Sequence, residues 1–376
     1  MATSTRSGTP LTRARAAAPV VRAAGPRIEE AGTLPADVVS ALADAELFWL
    51  TAPAGLGGAE GSATDVLAVV EEITAADVSA GWSLMVNIAA TGGVLARCAD
   101  DALPLLFADG PPVLAGSVAR ADGGQVVRVD GGYAVGGRFR FASGSAHATW
   151  MSSRMILDDA PVSVLLPVDR LEFVGGWDVL GLRGTGSRDY RVPDQVVPDP
   201  LVFRADAVPR RGPGVHRLGA YLAATVGHGG IALGIGRRAF EELAAAVAAD
   251  ATRPGRTPML DDPHFRHELA AQEARLRAAR AYCFDAVHDA SAAVDDGRPV
   301  SDLLGHRIRQ AITHATGVAA ESAAFAFRWA GSAALRTPHP LAGLLRDAHT
   351  AAQHVAVAPA SLTEVGAAVL ADYARP

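Results

Sequence analysis

The sequence predicts an α+β protein built as helices, then a β unit, then helices again. Three observations predict it. Apolar residues recur at helical spacing up to about Pro111. Between about Val113 and Phe203 the texture turns to glycine, valine and short alternating runs, and from about Gly214 helical spacing returns in long alanine-rich segments. At 376 residues, 49% of them hydrophobic, the chain is long enough for a large core.

Residues 1–27 contain no acid and several arginines. They read as a disordered tail with no apolar core for secretion, so a cytoplasmic location is the default expectation. The first helical zone, 28–112, opens with "LPADVVSALADAELFWL", which spaces Val38, Leu42 and Ala45 at four- and three-residue intervals, with Leu47 two further on. A charged helix and a nearly uncharged one follow in "TDVLAVVEEITAADVSAGWSLMVNIAATGGVLARC". A helix apolar all round is a buried one, so Trp82 to Leu95 is expected to run through the interior. No apolar run approaches the ~20 residues that span a bilayer, and no membrane partner is expected.

The β unit, 113–205, contains "QVVRVDGGYAVGGRFRFAS", two alternating segments around an Asp-Gly-Gly turn, which predicts a hairpin. "VSVLLPV" and "RDYRVPDQVVP" read as further strands with prolines at their ends. The last zone, 206–376, divides into four helical segments, with starts at Asp262-Pro263 and Ser301-Asp302. Long, weakly charged helices of this kind pack as a bundle with a face left for a partner subunit.

Composition excludes several functions. A net charge of -6 gives no cationic surface for nucleic acid. All 34 basic residues are arginine, which removes Schiff-base chemistry and the phosphate-binding lysine of a P-loop. Cys98 and Cys283 lie far apart, form no metal-ligand spacing, and read as buried free thiols; no metal is expected.

Five stretches carry a resemblance: "LPADVVSALADAELFWLTAPAGLGGAEG", "SAGWSLMVNIAATGG", "VDGGYAVGGRFRFASGSAHATW", "WDVLGLRGTGSRDYRVPDQVVP" and "HPLAGLLRDAHTAAQHVAVAP". In this order they resemble the acyl-CoA dehydrogenase superfamily and, within it, its flavin-dependent monooxygenase branch. The resemblance implies an N-terminal helical domain, a middle β-barrel domain and a C-terminal four-helix bundle, assembled as homodimers or homotetramers. It also implies flavin where the three domains meet. The activity implied is that of an oxygenase component, which uses reduced FMN or FAD from a separate flavin reductase and O2, via a C4a-hydroperoxyflavin, to oxidise a small organic substrate.

The resemblance also places residues. Ser143 would face the flavin N5, with Phe141 as a wall and Gly144 allowing close backbone approach; the plainer alternative is a serine turn ending a strand. Trp82 would lie over flavin or substrate, or be a core tryptophan. Ser117 would touch the flavin's polar edge, and His147 would line the substrate cavity or sit in a turn. Where many dehydrogenases carry a catalytic glutamate after "RDA", this chain has Val355; His354, one residue earlier, stands where oxygenases carry a histidine. His354 is thus the leading catalytic candidate, expected on the last helix on one face with Asp347 and Thr350. His349 is a rival, and Arg346–Asp347 reads as an ion pair. A displaced dehydrogenase base in Glu321, Glu364 or the "FEELAAA" glutamates is the alternative, as is a scaffold without chemistry. Arg253, Arg256 and Arg266 are candidate phosphate contacts.

Overall fold

The computed structural model describes residues 8–117, 124–250, 258–336 and 339–374. Arg253 and Arg256 lie outside them. Among the described residues the chain begins with a helix where a tail was expected: α1, Pro10–Ala31, is capped by the Thr9 hydroxyl. Ala14, Ala17, Val21, Ala24 and Ile28 bury one stripe at alternating three- and four-residue spacing, while Pro19 and Pro26, seven residues apart, stay exposed. Small alanines make that stripe easy to miss.

α2 (Ala36–Asp44), α3 (Ala63–Ala76), α4 (Val78–Arg97) and the short α5 (Leu103–Leu106) complete the first helical part. Asp77 caps α4 by accepting from Ala80 N. α4 alters one expectation. It is long and apolar enough to cross a membrane by length and composition, yet 78% of that window is buried inside the protein. It is a core helix, packed on α3, α6 and the first strand.

The middle unit is one eight-stranded mixed sheet. Its strands are β1 (Leu114–Ser117), β2 (Gln125–Val129), β3 (Gly132–Phe139), β4 (Trp150–Leu157), β5 (Ala160–Pro167), β6 (Glu172–Val174), β7 (Asp189–Val197) and β8 (Val202–Arg204). The order is β6-β7-β3-β2-β4-β5-β8, with β1 parallel to β4. The expected hairpin is β2–β3, with Val129 opposite Gly132. Pro193 does not end its strand. It sits within β7 where the β3–β7 register shifts between Val135 and Gly137, a bulge that needs no ladder hydrogen bond from proline.

The last part holds α6 (Ala220–Asp250), α7 (Pro263–Asp295), α8 (Asp302–Ala330), α9 (Pro340–Ala351) and α10 (Leu362–Tyr373). The predicted starts are real: Asp262 and Ser301 cap α7 and α8. Both cysteines are free and buried.

Arg346 and Asp347 do not form a pair. Arg346 reaches Glu29 on α1 at 2.8 Å and donates to Leu180 O, while the Asp347 carboxylate accepts from Leu182 N at 2.7 Å. Together they clamp the 180–182 loop and α1 to α9. A Cβ on Gly181 would lie 2.5 Å from the Arg346 carbonyl, so this contact requires glycine. Burial pushes the Asp347 carboxyl up to about 7, with Asp77 and Glu29 adding to the push against the Leu182 hydrogen bond.

A carboxyl raised above its unfolded value of 3.8 lets the native state bind the extra proton between pH 3.8 and about 7. Native stability is therefore lost across that window as pH rises. Asp347→Asn keeps the acceptor and removes the titration. Its thermal midpoint relative to the unaltered protein is expected to climb from pH 4 to pH 8, by on the order of 3 kcal/mol in stability. A pH-independent difference in thermal melts would contradict the assignment.

Candidate functional site

Three helices and the sheet meet around Trp82. It projects from α4, 7% exposed, and its indole Nε1–H donates to Ser143 Oγ at 3.2 Å. Two imidazoles meet its ring edge-on: His228 of α6 at 5.1 Å and His354 at 5.7 Å between centroids. The two imidazoles lie 4.1 Å apart, tilted by 31°. His354 does not share a helical face with Asp347 and Thr350, because α9 ends at Ala351. It sits instead at the start of a single 3-10 turn, Val355–Val357, and its Nδ1 accepts from Ala356 N at 3.2 Å. That bond leaves the proton of the neutral ring on Nε2.

Burial lowers the His354 pKa. Burial lowers His228 well below its usual range, and the neighbouring His354 adds to this. Both rings are neutral at pH 7. Behind Trp82 and His228 lies about 250 Å3 of atom-free space, part of it open to solvent, walled by Ile235, Thr316, Ala348 and Val357. No carboxylate lines it.

Ser143 belongs to a directed hydroxyl chain. Its Oγ contacts Ser187 Oγ, and Ser187 contacts Thr185 Oγ1 at 2.9 Å. Thr185 donates to Leu182 O at 2.7 Å. A carbonyl only accepts, so the single Thr185 proton is committed. Ser187 must then donate to Thr185, and Ser143 to Ser187. Trp82 donates to Ser143. Ser143 is left with one lone pair and no proton to give. The "GLRGTGSRD" stretch, part of one of the five resembling stretches, supplies two of these hydroxyls.

Outside the chain lies an aromatic platform. Phe141 is 56% exposed, with a φ of 62° that a bulky residue rarely adopts, and its ring meets Trp177 edge-on at 6.3 Å. Trp177 donates to Leu182 O, the same carbonyl that ends the hydroxyl chain. The platform fits a flat apolar ring, and the free acceptor on Ser143 fits a polar donor at such a ring's edge.

The remaining candidates fare differently. Ser117 donates to Arg140 O at 2.7 Å, tying β1 to the end of β3. Gly144 does take a left-handed φ of 70°, but the close approach is to Asn87, where a Cβ would lie 2.8 Å from Oδ1. Asn87 donates to Leu114 O and Gly144 O, and its Oδ1 accepts from His147 Nε2 at 2.8 Å. His147 packs on Phe48, leaves Nδ1 buried without a partner, and is pushed down to about 4 by burial. It is a neutral tie between sheet and α4 and lines neither cavity. His349 is exposed, and Val355 is 71% exposed. The glutamates proposed as a displaced base are all in ion pairs: Glu321 with Arg275, Glu364 with Arg309, Glu241 with Arg22, Glu242 with Arg238. Arg266 lies exposed on α7. His228, Ser187 and Thr185 are the residues that sequence reading missed.

Comparison with known proteins agrees with the fold. "Acyl-CoA dehydrogenase, N-terminal domain" matches residues 12–103, and "Acyl-CoA dehydrogenase, C-terminal domain" matches 226–359, together more than half of the chain. The indole-3-acetate monooxygenase of Pseudomonas putida is 28% identical over 337 residues, covering 88% of this chain and 86% of its own. The flavin-dependent monooxygenase oxygenase subunit HsaA of Rhodococcus jostii is 28% identical, covering 91% and 92%. The crystal structure of 3-HSA hydroxylase from Rhodococcus sp. RHA1 superposes with a TM-score of 0.89 at 25% identity, covering 97% of both chains. The chain belongs to the acyl-CoA dehydrogenase family. Within it the chain is an oxidoreductase of the flavin-dependent monooxygenase branch.

Gly144→Ala tests the local geometry. The added methyl meets Asn87 in a backbone conformation that only glycine adopts without strain, so a loss of about 1–3 kcal/mol is expected in thermal or denaturant unfolding. An unchanged midpoint would mean that the Asn87 contact is not tight.

Proposed function

We propose that the chain is the oxygenase component of a two-component system. It takes reduced FMN or FAD from a separate flavin reductase and oxidises a small ring compound with O2. The relatives' names support a flavin and an oxygenase role. The observation that carries the reduced state is the direction of the hydroxyl chain. Ser143 can accept one hydrogen bond and donate none, so it suits a ring nitrogen that bears hydrogen. The N5 position of a flavin bears hydrogen only when reduced; oxidised N5 is itself an acceptor and faces a lone pair. The bound reduced flavin supplies the two electrons with which O2 is split between product and water.

The chain's own residues do the rest. Trp82 and Ser187 hold Ser143 in one orientation. Phe141 and Trp177 give the ring an apolar seat. The apolar side chains around Trp82 exclude water from the charges that develop. His354 keeps a proton at Nε2, fixed there by the Ala356 amide, and presents it beside Trp82 as a hydrogen-bond donor to oxygen on which negative charge develops. Val355, which cannot take a proton, supports oxygenation over α-proton removal.

Anaerobic titration checks this. Reduced FMN or FAD is expected to bind more tightly than the oxidised form, and Ser143→Ala to erase about tenfold of that preference. Ser187→Ala frees the Ser143 proton and should shrink the preference while leaving oxidised flavin binding equal or better. Tighter binding of the oxidised flavin by the unaltered protein would reject the reading. His354→Ala is expected to lower product formation by roughly 100-fold or more with flavin binding retained.

A further inference from the structure

A second cavity opens along the same α4–α6 seam, between α3, α4, α6 and the 3-10 turn Gly214–Leu218. About 470 Å3 of atom-free space, part of it open to solvent, lies between these elements. Val66, Met85, Ile88 and Val215 give it apolar walls. On the α6 side the wall is made of small residues, Ala220, Ala223 and Ala224, with Gly227 packed directly against Met85.

One charged group lines this cavity, and it has no counter-ion. Arg97, at the end of α4, is 8% exposed. Nε donates to Ala207 O, Nη1 to Gly93 O and Nη2 to His216 O, all neutral carbonyls. Among the described residues no carboxylate lies within ion-pair distance of it. A guanidinium has five N–H donors, so one on each terminal nitrogen is left over. The nearby charge of Arg154 adds to the positive potential rather than cancelling it; burial, and then Arg154, lower the Arg97 pKa.

His216 cannot supply the missing charge. Its Nε2 donates to Thr51 O at 2.7 Å, and burial pushes it down to about 4, so it is neutral and has only an acceptor to offer. A buried cation whose charge is answered only by carbonyl dipoles is costly unless an anion completes it.

We propose that this cavity binds a small aromatic or arylalkyl carboxylic acid, its carboxylate on the free N–H groups of Arg97 and its ring between Met85, Ile88 and Val215. Helix geometry supports the size. Arg97 folds back one turn to Gly93, and from the level of Gly93 to that of Met85 is eight residues of helix, about 12 Å. An acid with one or two rings spans it. As a substrate site the proposal rests on the oxygenase reading; as an anion site it stands without it.

The test uses the flavin-free full chain and isothermal titration with phenylacetate and, as the neutral isostere, phenylacetamide. The acid is expected to bind about tenfold or more tightly than the amide, as a charge-assisted hydrogen bond in a dry site provides. Arg97→Met should abolish that preference. Equal affinities, or no heat from either ligand, would overturn the proposal. Arg97 also ties two loop carbonyls, so Ala224→Leu is the second arm: it fills the cavity from α6 without touching those bonds. It should weaken phenylacetate binding by about tenfold with the fold intact by circular dichroism; undiminished binding would overturn the site. Since no flavin is present, failure here leaves the oxygenase reading as it was, and failure to bind reduced flavin leaves this result as it was.

Discussion

The hydrogen bond from the Trp82 indole to the Ser143 hydroxyl joins the helical part to the sheet, and the site depends on it. An indole N–H gives one bond in one direction, so the contact fixes both partners. On one side it holds the tryptophan ring where His228 and His354 meet its edges. On the other it starts a run of hydroxyls that ends on a carbonyl and cannot reverse. A local contact between α4 and the β unit thereby decides which protonation pattern a ligand finds.

The buried polar groups follow one rule. His147, His216, His228 and His354 are all shifted toward the neutral form, each first by burial. The seam therefore presents uncharged donors and acceptors whose orientation is set by backbone partners, as at Ala356 N and Thr51 O. Arg97 is the exception, since a guanidinium keeps its proton at any ordinary pH. Among the side chains lining the second cavity Arg97 is the charged one, and it stands at the opposite end of α4 from Trp82.

Much of the fold was legible because period and punctuation speak directly. The Asp-Gly-Gly turn gave the hairpin, and Asp262 and Ser301 gave two helix starts. α1 was misread because alanine carries little hydrophobic signal, although Ala14, Ala17, Val21, Ala24 and Ile28 keep helical spacing. Ser143, Trp82 and His354 were legible through family position and do converge. The packing of Gly144 on Asn87 was not legible, since the two are 57 residues apart. His228 carries no local motif; it is one polar residue in "TVGHGGIALG", and only the packing of α6 on α4 gives it a role. Ser187 and Thr185 lie in a glycine-rich loop whose meaning is its contact with Ser143.

The character of α4 has a consequence for how the polypeptide is made. A twenty-residue segment this greasy emerges from the ribosome after α1–α3 but well before α6, which covers much of its far side. From Arg97 to the end of α6 is about 150 residues of synthesis, roughly 8–30 s at common elongation rates, and until then that flank has no α6 to lie against. During that interval the nascent chain carries a sticky stripe resembling a membrane anchor. Productive folding here depends on shielding that stripe until the second helical half arrives.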